Sequence, residues 1–170
     1  SAGPCILPQQ VFKEASSSII NFNNLDLSLI EISHRSFDFV AVMEEAVELV
    51  KELLEVPSEY SVLFLQGGAS MEFLMVAINL MKVNGKAGYL DTGAWSTKAI
   101  KEAKLFGDTQ ILASSKDKNY SYIPKDYTIP SDLNYFHCTS NNTIFGTQIK
   151  AFPITNVTVS YTHLTLPTIE

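Results

Sequence analysis

Apolar residues recur at helical spacing over Phe39, Val42, Met43, Ala46, Leu49, Val50, Leu53 and Leu54, with Glu44, Glu45, Glu48, Lys51 and Glu52 on the other face. That spacing predicts an amphipathic helix packed by its apolar stripe. Pro57 ends it, because proline has no N–H to donate. Upstream, residues 11–20 predict a short helix. Residues 1–10 carry Gly3-Pro4 and Leu7-Pro8 and predict an extended arm.

The pattern changes after residue 60. Val62-Leu63-Phe64-Leu65 is an unbroken apolar run, as in a parallel strand buried on both faces. Gln66-Gly67-Gly68-Ala69-Ser70 follows as a turn of small residues, and residues 71–81 are apolar and helical. Asn84-Gly85 turns the chain into a strand over 87–90. Residues 96–106 form a helix with Lys98, Lys101, Glu102 and Lys104 outside, and 109–113 and 135–138 read as further strands. Alternating strands and helices predict an α/β fold with a parallel sheet.

Composition narrows the function classes. With 170 residues, 46% hydrophobic and 18% charged, the chain is long and apolar enough for one domain with a core. A net charge of −6 argues against nucleic-acid binding by phosphate neutralisation, so an anionic ligand needs a local pocket. No apolar run reaches membrane-spanning length. Cys5 and Cys138 form no CxxC pair and suit a reducing compartment. The opening Ser-Ala-Gly-Pro has neither a basic nor an apolar leader segment, which predicts a cytoplasmic protein. The Asn119, Asn141 and Asn156 sequons carry weight only in a secreted chain.

Four features offer chemistry. The Gly67–Ser70 turn precedes a helix, whose free N–H groups and positive pole suit a phosphate; alone the signal is weak, and an ordinary strand-to-helix connection is the alternative. Trp95, the only tryptophan, follows a strand and precedes a helix, where an indole can stack on a flat heteroaromatic ring or serve as core. Arg35, the only arginine, suits bidentate carboxylate binding; a surface role is the alternative. Thr143, in the loop Asn141-Asn142-Thr143-Ile144-Phe145-Gly146, can donate to a phosphate or ring oxygen. His34, His137 and His163 show no metal-ligand spacing, and no Ser/His/Asp or Cys/His set can be assembled.

In order, Ser1-Ala-Gly-Pro-Cys-Ile-Leu-Pro8, Glu31-Ile-Ser-His-Arg-Ser36, Val62-Leu-Phe-Leu-Gln-Gly-Gly-Ala-Ser70, Thr92-Gly-Ala-Trp-Ser96, Ala99-Ile-Lys-Glu-Ala-Lys104 and Asn142-Thr-Ile-Phe-Gly146 resemble the phosphoserine aminotransferase family. The resemblance implies the large domain of an aspartate-aminotransferase-like fold, incomplete here, behind an extended N-terminal arm. It implies pyridoxal 5'-phosphate as cofactor and amino transfer between glutamate and 3-phosphohydroxypyruvate, in serine synthesis and, as in many bacterial members, pyridoxine synthesis. It also implies a homodimer with the active site at the subunit interface. Arg35 resembles the arginine that grips the substrate carboxylate. Ala69 and Ser70 resemble the pair that binds the cofactor phosphate, Trp95 the aromatic on the pyridine ring, and Thr143 the threonine beside that ring.

The resemblance runs to about Pro153. The family's later aspartate and its Gln-Lys-Asn lysine, which forms the Schiff base, are not matched: no aspartate follows Asp132, and Lys150 is the last lysine. The expected division is 1–157 as arm and first part of the cofactor-binding domain. Residues 158–170 are expected to be a non-native tail, from in-frame adapter or vector read-through or from a splice or frameshift. A chain without that lysine is expected not to transaminate alone. Another class-V aminotransferase, or a non-enzymatic phosphate-binding α/β domain, is the competing reading.

Overall fold

The computed structural model describes residues 6–162 and divides the chain into two compact units that part between Leu65 and Gln66. Residues 1–5 of the expected arm, with Cys5, and residues 163–170 of the expected tail, with His163, lie outside the described residues.

The first unit holds α1 (Gln9–Ile20) and α2 (Phe37–Leu53). Both helices stand where the apolar spacing predicts them. The arm is shorter than expected, because Gln9 and Gln10 already belong to α1. Ser36 caps α2, its Oγ accepting from the Phe39 N–H at 3.4 Å. Asp38 in the first turn and Lys51 in the last match the helix dipole. No residue of α2 is fully buried, so its apolar stripe stays half covered within this unit.

Residues 62–65 depart from expectation. They form no strand, and Leu63, Phe64 and Leu65 are 71%, 55% and 55% exposed. A strand exists only through a ladder to a neighbour, and none of the described strands pairs with this segment.

The second unit begins with α3 (Gly68–Leu80), followed by β1 (Lys86–Asp91), α4 (Ala94–Ala103) and β2 (Asp108–Ser114). Next come β3 (Tyr135–Thr139), a small hairpin of β4 (Asn141–Asn142) and β5 (Thr147–Gln148), and β6 (Val159–Thr162). β2, β1, β3 and β6 lie in that order in one sheet, all parallel. The expected α/β architecture is therefore present.

Side chains alternate across the sheet, as the period of two requires. Ala87, Tyr89 and Tyr135 face α3 and α4, where Phe73, Ala77, Ala99, Ile100 and Ala103 complete one core cluster. Leu90, Phe136 and Cys138 face the other way, under Ile123, Tyr127 and Ile129 of the long β2–β3 connection. Gly88 sits in this crowded centre: a Cβ there would lie 2.6 Å from Leu133 Cδ1. His137 is 2% exposed, against the rings of Phe73 and Tyr89, and its Nδ1 lies 3.2 Å from Ser160 Oγ on β6. Burial pushes its pKa down to about 4.

Candidate active site

The strand order places the site. From β1 the chain passes through α4 to β2 on one side, whereas from β3 it passes to β6 on the other. Neighbouring strands whose connections diverge leave a crevice at their C-terminal ends, where α/β sheets bind ligands. The first turn of α4, after β1, carries Trp95, and the β4–β5 loop, after β3, carries Thr143, and they meet: Trp95 Nε1 donates to Thr143 Oγ1 at 2.9 Å.

Hydroxyl chemistry shapes the first loop. Ser96 Oγ accepts from the Thr92 and Gly93 N–H groups at 2.8 and 3.0 Å, tightening the turn into α4. Behind it lies the Asp91 carboxylate, 6% exposed at the end of β1. Ser96 Oγ (3.3 Å), Thr97 Oγ1 (3.0 Å), Ser114 Oγ (2.9 Å) and Tyr120 OH (3.3 Å) all stand within hydrogen-bond distance of it. The turn also interlocks with the hairpin loop. Thr92 Oγ1 donates to Asn142 Oδ1 at 3.3 Å, and a Cβ on Gly93 would lie 2.8 Å from that same oxygen.

The second part is the N-terminus of α3. Gly67 has φ +102° and no side chain caps the helix, so the first-turn N–H groups of Gly68, Ala69 and Ser70 have no side-chain acceptor. Nothing lies within 4 Å of a Cβ built on Gly68, so the backbone there is open to a ligand. Gly67 is required by its left-handed conformation and because a Cβ would lie 2.5 Å from Met71 Cβ. Gly67→Ala is expected to destabilise the fold by about 1–3 kcal/mol and to distort this cradle; an unchanged urea midpoint would contradict that. Lys98 on α4 joins the two parts. Its Nζ donates to Ser70 Oγ at 2.9 Å and lies 5.8 Å from the Trp95 ring centroid.

Ala69, Ser70, Trp95 and Thr143 are thus linked within the second unit. Arg35 belongs to the first unit and is exposed there, in a turn ahead of α2. Its N–H donates to Ser33 Oγ at 3.2 Å, and Ser36 Oγ donates to the Ser33 carbonyl at 2.8 Å. Among the described residues its guanidinium makes no ion pair.

Lys98, Asp91, Ser96 and Asn142 were not singled out by the sequence. Lys98 left one trace, its position three residues after Trp95 on the same helix face. The donors present fit a phosphorylated heteroaromatic group: free helix N–H groups, a cation, an indole face and a hydroxyl. Asn142, 2% exposed, adds a buried Nδ2 with no hydrogen-bond partner, a donor in reserve beside Thr143. Among the described residues no group of three or more His, Cys, Asp or Glu could hold a metal ion, and no helix is long and apolar enough to cross a membrane.

The family model for class-V aminotransferases matches residues 1–163. The phosphoserine aminotransferase of Flavobacterium psychrophilum is 67% identical over 160 residues, which cover 94% of this chain and 45% of the relative. The phosphoserine aminotransferase of Bacillus circulans subsp. alkalophilus superposes with a TM-score of 0.88 at 41% identity, over 95% of this chain and 45% of the other. A pyridoxal-phosphate-bound phosphoserine aminotransferase from Trichomonas vaginalis gives 0.85 at 30% identity, over 95% and 46%. The chain spans under half the length of the relatives it matches. With a family match over nearly its whole length, this chain belongs to the class-V aminotransferases.

Proposed function

We propose that these residues carry the cofactor cradle of a pyridoxal-phosphate-dependent phosphoserine aminotransferase. The substrates would be glutamate and a phosphorylated keto acid, 3-phosphohydroxypyruvate in the first instance. The observation that carries this reading is the joined site: the uncapped N-terminus of α3, with Ala69 and Ser70, tied through Lys98 to Trp95 and on to Thr143.

Each residue has a physical task. The Ala69 and Ser70 N–H groups, with their partial positive charge, would bind the cofactor phosphate. The Trp95 indole would supply a stacking face for the pyridine ring. Thr143 Oγ1 already accepts from Trp95, so its own proton is free to donate to the ring oxygen. Asp91 and Ser96 hold the turn that aims Trp95. Arg35 grips the substrate carboxylate with its two-pronged guanidinium. When bound, the cofactor supplies an electron sink for the amino acid's Cα–H bond. No lysine of this chain is assigned the proton-transfer role. The enzyme would be a cytoplasmic homodimer with the active site at its interface.

The test joins residues 1–157 to the remaining part of the Flavobacterium psychrophilum relative, in place of residues 158–170. The completed protein is expected to transfer the glutamate amino group to 3-phosphohydroxypyruvate. Arg35→Ala should raise the glutamate KM at least about tenfold, the worth of one charge-assisted pair. Preference for an unphosphorylated keto acid would favour another class-V activity. Failure to bind pyridoxal phosphate would favour a non-enzymatic phosphate-binding domain.

A further inference from the structure

We propose that Lys98 is the counter-ion of the cofactor phosphate, and that it sets the preference of this site for a phosphate monoester over its unphosphorylated analogue. The inference rests on the proposed reading of the site and adds a residue to it.

Lys98 is exposed on α4, in a chain whose net charge is −6, yet its ammonium is directed to neutral partners. It donates to Ser70 Oγ at 2.9 Å and lies 5.8 Å from the Trp95 ring centroid. Among the described residues no carboxylate pairs with it. Its position runs against the field. A helix N-terminus carries about half a positive charge, and cations are favoured at the opposite end. Here the cation sits at the first turn of α3, whose N–H groups no side chain caps. The cation and the positive pole of α3 thus meet at Ser70, where no carboxylate among the described residues pairs with Lys98. A dianion placed there would accept from the α3 N–H groups and from Nζ at once, and the repulsion would become attraction.

The geometry also fixes the ligand's orientation. Trp95 and Lys98 lie three residues apart on one helix, whose first turn Ser96 pins through the Thr92 and Gly93 N–H groups. A phosphate held by Lys98 and a ring held by Trp95 therefore belong to one rigid frame. Lys98 acts as a positioning residue: it holds the phosphate end while the ring lies on the indole.

The test uses the completed protein and two probes, pyridoxal 5'-phosphate and pyridoxal, titrated by the absorbance change on binding. Lys98→Met is expected to weaken pyridoxal phosphate binding about tenfold and to leave pyridoxal binding unchanged; a charge-assisted hydrogen bond at an exposed site is worth about that factor. Lys98→Arg should keep most of the discrimination, and added salt should narrow the gap between the unsubstituted protein and Lys98→Met. Unchanged pyridoxal phosphate affinity in Lys98→Met overturns the inference, as does an equal loss for both probes. Borohydride reduction leaving the cofactor's mass on Lys98 would also overturn it, because the lysine would then bond the aldehyde carbon. If the unsubstituted completed protein does not bind pyridoxal phosphate, the functional reading fails, and this inference with it. Normal binding with no effect of Lys98→Met sinks this inference alone.

Discussion

Asp91→Ala is expected to cost about 3 kcal/mol of folding stability and to loosen the turn that carries Trp95. The carboxylate is buried at the end of β1, with hydroxyls of Ser96, Thr97, Ser114 and Tyr120 at 2.9–3.3 Å. Hydrogen bonds to a charged group are each worth about 1.5–3 kcal/mol, but Ser96 and Thr97 also reach the Gly93 carbonyl, so the four do not simply add. Removing the acceptor leaves hydroxyls in a space alanine does not fill. Asp91→Asn keeps the shape and one acceptor oxygen and should lose less. Trp95, the only tryptophan, reports directly on the turn. Urea unfolding followed by its fluorescence should show a lower midpoint and an altered folded-state emission in Asp91→Ala. An unchanged midpoint together with an unchanged emission would mean that the carboxylate does not organise this loop.

Acid is expected to weaken the fold through His137. The imidazole is held at a pKa of about 4 by burial, below the ordinary 6.5. Between those values the unfolded chain takes up a proton that the folded chain refuses. Stability therefore falls as pH drops below about 6.5 and levels off, for this group, near 4. From pH 7 to pH 5 the loss is roughly 2 kcal/mol, and the full window is worth at most about 3 kcal/mol. Urea midpoints at pH 7 and pH 5, compared between the unsubstituted protein and His137→Gln, isolate the histidine. His137→Gln should lower stability at pH 7 but flatten its dependence over this range. An equal slope in the variant would place the acid sensitivity elsewhere.

These two groups show where reading the chain by itself stops. β3 was legible as a strand, and His137 was visible only as a histidine without metal-ligand spacing. Its burial comes from Phe73 on α3, Tyr89 on β1 and Ser160 on β6, three separate elements. Asp91 stood next to a candidate, but two of its hydroxyl neighbours are 23 and 29 positions away. The run at 62–65 failed for a related reason. Its apolar content suits a strand, but content supplies no ladder partner, and no described strand pairs with it. The hairpin of β4 and β5 leaves no strand signal in the sequence, because its strands hold two residues each, too few for an alternation to register.

The sequence by itself determined the helices, three strands of the parallel sheet, the small-residue turn before α3 and the candidates Arg35, Ala69, Ser70, Trp95 and Thr143. All of these depend on residues within a few positions of one another, where periodicity and turn chemistry act. Only the tertiary structure decided which candidates meet. Trp95 reaches Thr143 across 48 positions, Lys98 reaches Ser70 across 28, and Thr92 reaches Asn142 across 50. Those contacts exist because parallel pairing sets β1 beside β3 and packing sets α3 beside α4. Such long closures are selected by burial of the whole core, and no local pattern along the chain encodes them.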